Sequence, residues 1–309
     1  MSDIAMHEHH PAVASFEVAL EPKLFPKVDN KARLGVGATF LLFIVLSALT
    51  SALPPAHNLS DAVQAGGGTA DMLNSGDTAW VIVAASMVLF MTPGLAFFYG
   101  GMVKEKNVIS TMYQAFVAMG TISVLWVIVG FSLAFGKDAN GSGIYGYPAT
   151  FYMFNDVGPN PHPTLAPTVP LVIFSMFQLT FAIITPALIA GSLAERVNFS
   201  AWMLFICIWH LLVYCPLAHM MWHPDGILRK WGALDFAGGT VVEMASGFSA
   251  LAGALYLGPR HVIDRQVPNI PFVMLGTGIF WFGWMGFNAG SAGAVSYILI
   301  PSPIPSCFY

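Results

Sequence analysis

The carboxylate of Glu243 stands seven residues inside an otherwise uncharged stretch, Phe236 to Pro259, in the string ALDFAGGTVVEMASGFSALAGALYLG. At about 1.5 Å of rise per helical residue that stretch can cross a hydrocarbon layer of about 30 Å, which sets Glu243 roughly 10 Å below the Asp235 end. An ionised carboxylate at that depth costs several kcal/mol unless water, a cation or a protein donor meets it, so Glu243 reads as a pathway or proton-handling residue. A protonated Glu243 bonded to a neighbouring helix is the alternative. Asp235 opens the same segment just before Phe-Ala-Gly-Gly, where a carboxylate caps free N–H groups and meets the positive end of the helix dipole. Trp222 ends the preceding apolar segment in AHMMWHPDG; an indole there either holds a small cation against its face or anchors the helix at the interface. His219 and His223 lie four apart, a spacing that can put two ligands on one helix face, but Pro224 follows and no carboxylate or cysteine partner is evident. No metal or cofactor site is expected, and the HEHH string at 7–10 offers only adventitious binding.

These side chains need helices that cross a membrane to position them. The 309-residue chain is 56% hydrophobic and 9% charged, with a mean hydropathy of +0.68. Soluble domains carry about 25% charged residues, so the composition is that of an all-α integral membrane protein. The formal charge of −4 is built from few groups and forms no basic stripe, which leaves no place for nucleic acid as a partner. Cys207, Cys215 and Cys307 show no CxxC spacing and read as small apolar residues.

Apolar runs predict six core helices near 79–102, 111–135, 169–192, 199–221, 236–257 and 271–290. A polar stretch at 1–33 and a leader at 34–56 precede them, the leader being either a cleaved signal or an extra span. Loops after the first, third and fifth core helices carry Lys104, Lys106, Arg196, Arg260 and Arg265, against Lys137, Arg229 and Lys230 after the second and fourth. The positive-inside rule therefore puts the odd-numbered loops in the cytoplasm and starts the first core helix outside. The Gly- and Pro-rich stretch from Lys137 to Pro170 becomes an outer loop.

Four strings are more specific than generic membrane helix: TPGLAFFYGGMVKEKNVIS (92–110), SLAERVNFSAW (192–202), ALDFAGGTVVE (233–243) and GWMGFNAGSAG (283–293). In this order, across residues 77 to 295, they resemble the ammonium transporter family, the relatives of Rh proteins. The resemblance implies a multi-pass plasma-membrane protein that passes ammonium or ammonia, assembles as a trimer and has about eleven spans in two inverted halves. This chain would hold the first inverted repeat of five helices and the sixth helix. The family's outer cation site maps to Trp222, Phe181 and Ser291, its gate of two stacked phenyl rings to Phe181 and Phe287, and its supporting aspartate to Asp235. Apolar rings in a narrow pore exclude hydrated ions and favour a neutral molecule that has left its proton behind. At position 243 the usual family residue is a histidine, paired with a second on a much later helix; Glu243 resembles the variant of some members, notably fungal ones. The implied role of Glu243 is to take a proton from entering ammonium or to draw the cation deeper.

After GFNAGSAGAVS the chain reads YILIPSPIPSCFY, with Pro301, Pro303 and Pro305 where the family continues into a seventh helix. Alternate prolines stop a helix, so 296–309 reads as an aberrant tail of a shortened sequence. A conduction wall without its second half leaves Glu243 to face lipid or collapse onto Phe287, and makes transport by the chain alone doubtful. The competing reading is a nonconducting subunit or ammonium sensor that assembles with full-length homologues. An enzyme using Glu243 with His210 or His219 finds no nucleophile elbow, metal signature or phosphate loop in support. Paired glycines, Gly286 with Gly290 and Gly238 with Gly239, are expected to permit close helix contact.

Overall fold

The computed structural model describes residues 72–259 and 269–295; the stretches 1–33, 34–56 and 296–309 lie outside the described residues. Helix α1, Ser75–Gly100, begins where Asn74 turns its side-chain oxygen onto the N–H of Asp77 at 3.1 Å, four residues before the predicted start at 79. Helix α2, Val108–Leu125, runs through a wide π turn, Trp126–Gly130, into α3, Phe131–Phe135. Helix α4, Leu171–Leu193, follows a two-stranded antiparallel hairpin of β1, Pro161–His162, and β2, Ala166–Pro170. The hairpin is seated on the start of α1, since the Asn74 N–H donates to the Thr168 carbonyl at 2.8 Å. Helix α5, Phe199–Trp209, passes through a second π turn, His210–Tyr214, into α6, Cys215–Trp222, and the short α7, Ile227–Lys230, follows. A third π turn, Gly239–Met244, leads into α8, Ala245–Leu257, and α9 spans Ile270–Gly290. These helices make six segments long and apolar enough to cross a membrane, and the chain is a multi-pass membrane protein.

Helix α4 is the hub, packed against α1, α2 and α8. Its apolar residues have no polar face to spare, and Phe181, Ala182, Ile184 and Ala187 are all fully enclosed. Helix α9 lies along α1 in the opposite direction, and small residues set the spacing. A Cβ added at Gly276 would stand 2.3 Å from the Phe98 nitrogen, at Gly283 2.1 Å from Met91 Cγ, and at Gly290 2.4 Å from Ala84 Cβ. The expected close-contact glycines are thus found at Gly286 and Gly290. Gly239 differs, because nothing lies within 4 Å of where its Cβ would be, while Gly238 is required by a left-handed φ of +102°. Polar bonds lock one end of this seam, where Trp80 Nε1 donates to the Ala289 carbonyl at 3.2 Å and the Val295 N–H donates to buried Asp77 at 2.9 Å; at the other end the Asn269 N–H donates to the Gly101 carbonyl at 2.8 Å.

The loops divide between the two ends as alternate crossing demands. At one end Glu195 accepts from the Lys104 N–H and from Asn107 Nδ2, both at 2.9 Å, and Arg196 donates to the carbonyls of Ser192 and Gly258. The other end carries the hairpin, the 136–147 loop and α7.

Candidate functional site

Three helices bring three aromatic side chains together. Phe181 from the middle of α4 and Phe287 near the end of α9 lie with ring centroids 4.2 Å apart and planes inclined by 33°. Both are about 1% exposed, so they form one closed pair rather than two neighbours in a loose wall. Trp222, the last residue of α6, meets Phe181 edge-on at 6.0 Å and 90°, a favourable arrangement for two ring quadrupoles. Phe177, one turn earlier on α4, packs edge-on against Phe181 at 4.9 Å, and Phe135 from α3 lies parallel to Trp222 at 6.3 Å. Ser291 stands one turn beyond Phe287 and donates its hydroxyl to the Phe287 carbonyl at 2.7 Å, which leaves its oxygen free to accept. It caps the end of α9.

The indole of Trp222 is fixed by its one polar atom. Nε1 donates to the main-chain carbonyl of Asp235 at 3.2 Å, and Arg229 donates to the Trp222 carbonyl at 2.5 Å. With its N–H committed, Trp222 offers a ligand its π face. The carboxylate of Asp235 accepts from the N–H groups of Gly238 at 2.5 Å, Thr240 at 2.8 Å and Val241 at 3.0 Å. That is the capping task the sequence predicts for it, made stronger because a wide turn leaves more N–H groups without an intrahelical partner. Asp235 therefore joins the Trp222 side chain on one side to the turn that carries Glu243 on the other.

Glu243 is half-buried near the end of that π turn, its main-chain N–H bonded to the Gly238 carbonyl at 3.2 Å. Its Oε2 is enclosed and has no hydrogen-bond partner, and the Tyr214 hydroxyl is enclosed and unpartnered as well. Gly238, at the entrance to the turn, packs against the gate pair: a Cβ there would sit 3.4 Å from Phe287 Cζ. The turn bearing Glu243 thus approaches the ring pair through Gly238.

His210 is fully buried between the first two π turns, its ring stacked on Tyr214 at 5.5 Å and its Nε2 3.5 Å from Cys215 Sγ. Its Nδ1 is enclosed and has no hydrogen-bond partner. Cys207 and Cys215 are buried free thiols. His219 and His223 do stack face to face, at 4.4 Å and 12°. The expectation that they lack a carboxylate partner is corrected by the fold: Asp138, in the loop after α3, brings Oδ1 to 3.3 Å from His219 Nε2, and Asp225 brings Oδ2 to 4.0 Å from His223 Nδ1. Among the described residues no group of three or more His, Cys, Asp or Glu side chains has a metal-holding arrangement. Sequence reasoning also passed over Phe135, Phe177 and Arg229. Only the Phe135 and Phe177 positions on apolar runs hinted at packing, and nothing local to Asp138 or Arg229 points to their distant partners.

Residues 79–300 match the model of the Ammonium Transporter Family. The chain is 47% identical over 221 residues to the ammonium transporter of Aquifex aeolicus, an alignment that covers 71% of this chain and 51% of the relative. Its fold is similar to the crystal structure of Candida albicans Mep2, with a TM-score of 0.65, 36% identity, and coverage of 72% of this chain and 50% of that one. A structure described as a sensor Amt protein matches with a TM-score of 0.64 and 32% identity, covering 71% of this chain and 55% of that one. The chain spans about half the length of the curated relatives it matches.

Proposed function

Because this chain belongs to the ammonium transporter family, we propose that it builds the receiving mouth and one wall of a transmembrane path for ammonium. The observation that carries this reading is the closed Phe181–Phe287 pair with Trp222 edge-on above it. An ammonium ion at the mouth rests on the indole face of Trp222, worth about 0.5–2 kcal/mol, and donates to the Ser291 oxygen. Two stacked rings have no lone pairs to replace the water of a hydrated cation, so charge is costly at that point and neutral ammonia passes more readily. Glu243 lies on the adjoining turn with an enclosed, unpartnered oxygen. It takes one proton from ammonium, the N–H electron pair staying on nitrogen, to give ammonia and the carboxylic acid. The Asp235 main-chain and carboxylate bonds hold Trp222 and Glu243 in fixed relation, which makes Asp235 a positioning residue. The path runs in the plasma membrane, with three copies of the protomer as the assembled form.

The test is uptake of a labelled ammonium analogue by a chain extended to the length of its relatives, as wild type and as Glu243→Gln, across pH. We expect at least a tenfold lower rate and a flattened pH profile, as loss of a positioned proton acceptor costs about that much. Unchanged rate and unchanged pH dependence would remove Glu243 from the pathway.

A second reading, a nonconducting subunit or ammonium sensor that joins longer homologues, is favoured by one observation. Leu255, Tyr256 and Trp281 on α8 and α9 are at least 70% exposed, so an apolar face is left open on these two helices. Co-purification with a longer homologue, together with no uptake when this chain is expressed alone, separates this reading from the first.

A further inference from the structure

Two enclosed oxygens on neighbouring segments have no hydrogen-bond partner: the Tyr214 hydroxyl, at the end of the second π turn, and Glu243 Oε2, in the third. Two bonds between those segments set their relative depth. Trp209 Nε1 donates to Ser249 Oγ on α8 at 2.9 Å, and Trp222 Nε1 donates to the Asp235 carbonyl at 3.2 Å. From the first bond to the second, residue numbers rise on one segment and fall on the other, so the two run antiparallel. Tyr214 lies five residues from the first bond and eight from the second; Glu243 lies six and eight. The two residues are therefore at nearly the same level along this seam. The third π turn packs against α6 and α4, and the Tyr214 hydroxyl is within electrostatic reach of Asp235 and Glu243. The Asp235 carboxylate is engaged by three main-chain N–H groups, whereas Glu243 keeps an enclosed oxygen free.

The phenol is held in place by its ring. Tyr214 is fully enclosed, stacked on His210 at 5.5 Å and 17°, and packed against Trp209 at 6.4 Å and Trp126 at 6.5 Å. A buried hydroxyl and a buried carboxyl oxygen that bond neither to each other nor to other protein groups are costly to leave so. One small neutral molecule that both donates and accepts satisfies the two together. Water is such a molecule, and protein interiors hold it through roughly two to four contacts of this kind. Because water works in both senses, the bridge closes whether or not the carboxyl carries a proton.

We propose that one bound water bridges Tyr214 Oη and Glu243 Oε2 and fixes the direction in which the Glu243 carboxyl points. Tyr214 is a positioning residue that acts on Glu243 through this water. The value of the bridge to ammonium rests on Glu243 being in the pathway; the bridge itself does not.

The test uses the full 309-residue chain in lipid vesicles, with 13C at Cζ of its nine tyrosines and the Tyr214 signal assigned by its loss in Tyr214→Phe. Magnetisation is expected to pass from water protons to the Tyr214 carbon in the wild type. It should persist in Glu243→Gln, whose carboxamide keeps an oxygen acceptor, and be lost in Glu243→Met, which is similar in length but apolar. The Glu243 carboxyl carbon, labelled in the same way and assigned through Glu243→Gln, is expected to shift in Tyr214→Phe. Thermal unfolding in detergent adds a second readout, since an idle hydroxyl could be removed without loss. Tyr214→Phe is expected to lower the melting temperature of the wild type by about 2–4 °C and to leave that of Glu243→Met unchanged. A wild-type Tyr214 carbon that water does not reach overturns the bridge, whether or not Glu243→Met folds. Equal water transfer in Glu243→Met, or an equal effect of Tyr214→Phe in both backgrounds, overturns it as well, and an unmoved Glu243 carbon overturns the positioning role. None of these readouts contains ammonium. In a chain extended to the length of its relatives, water transfer that persists beside uptake indifferent to Glu243→Gln would remove Glu243 from the pathway and leave the bridge standing.

Discussion

Helix α4 and the last two spans solve the same problem in different surroundings. In the most apolar stretch of α4, 67% of residues are buried by the rest of the protein, against 22% in the spans ending in α8 and α9. All three are apolar enough to cross a membrane, so hydropathy does not distinguish them. On α4, the enclosed Phe181, Thr185 and Ala187 meet protein on every side, and shape decides what fits. On α8 and α9, Phe248, Leu255 and Trp281 point outward, where a lipid chain or another protein surface serves equally well. The difference teaches that the ring pair straddles the two: Phe181 is held by the closed half of the molecule, while Phe287 and Glu243 stand on spans of the open half.

The largest test of this contrast lies within α9 itself. Gly276→Leu would drive a side chain into the Phe98 main chain and is expected to cost roughly 3 kcal/mol, whereas Gly278→Ala, with nothing within 4 Å, should stay within about 0.5 kcal/mol. Thermal unfolding in detergent reads both. If the two substitutions cost the same, α9 is not seated on α1 through Gly276. Next in size is Asp235→Ala, which strips acceptors from three main-chain N–H groups and should destabilise by about 1–3 kcal/mol, with Asp235→Asn recovering part of the loss. Smallest is a pair of tryptophans. Trp126→Phe loses the Nε1 bonds to Ser175 in a fully buried site and should cost about 1 kcal/mol; Trp281→Phe, 70% exposed, should cost less than half of that. An equal cost for both, measured in membranes, would show that a protein surface covers the open face of α9.

Much of the frame behind this contrast is legible in the order of the amino acids. Runs of apolar residues locate the six spans found among the described residues, and Asp235 just before Phe-Ala-Gly-Gly announces the cap it makes. The π turns are not legible, because one extra residue in a helix leaves the apolar pattern almost unchanged over so short a stretch. Gly238 and Gly239 look alike in sequence, yet only the first is forced by its dihedral angle, a distinction that depends on where the chain is coming from. The Asp138–His219 contact joins a loop to a helix far along the chain, and no local spacing encodes it. The same holds for Arg229 on Trp222, a bond to a main-chain oxygen that carries no side-chain signature.

The wide turn at Gly239–Met244 has a consequence for how this chain can change over generations. A π turn holds one residue more than an α-helix needs for the same rise, so loss of a single codon inside it would tighten the turn into ordinary helix and keep the hydrogen-bond ladder complete. Everything on the Asp235 side would then rotate by about 100° relative to α8. The direction in which position 243 faces is thus open to revision by a change of length, a route that no point substitution at Glu243 provides.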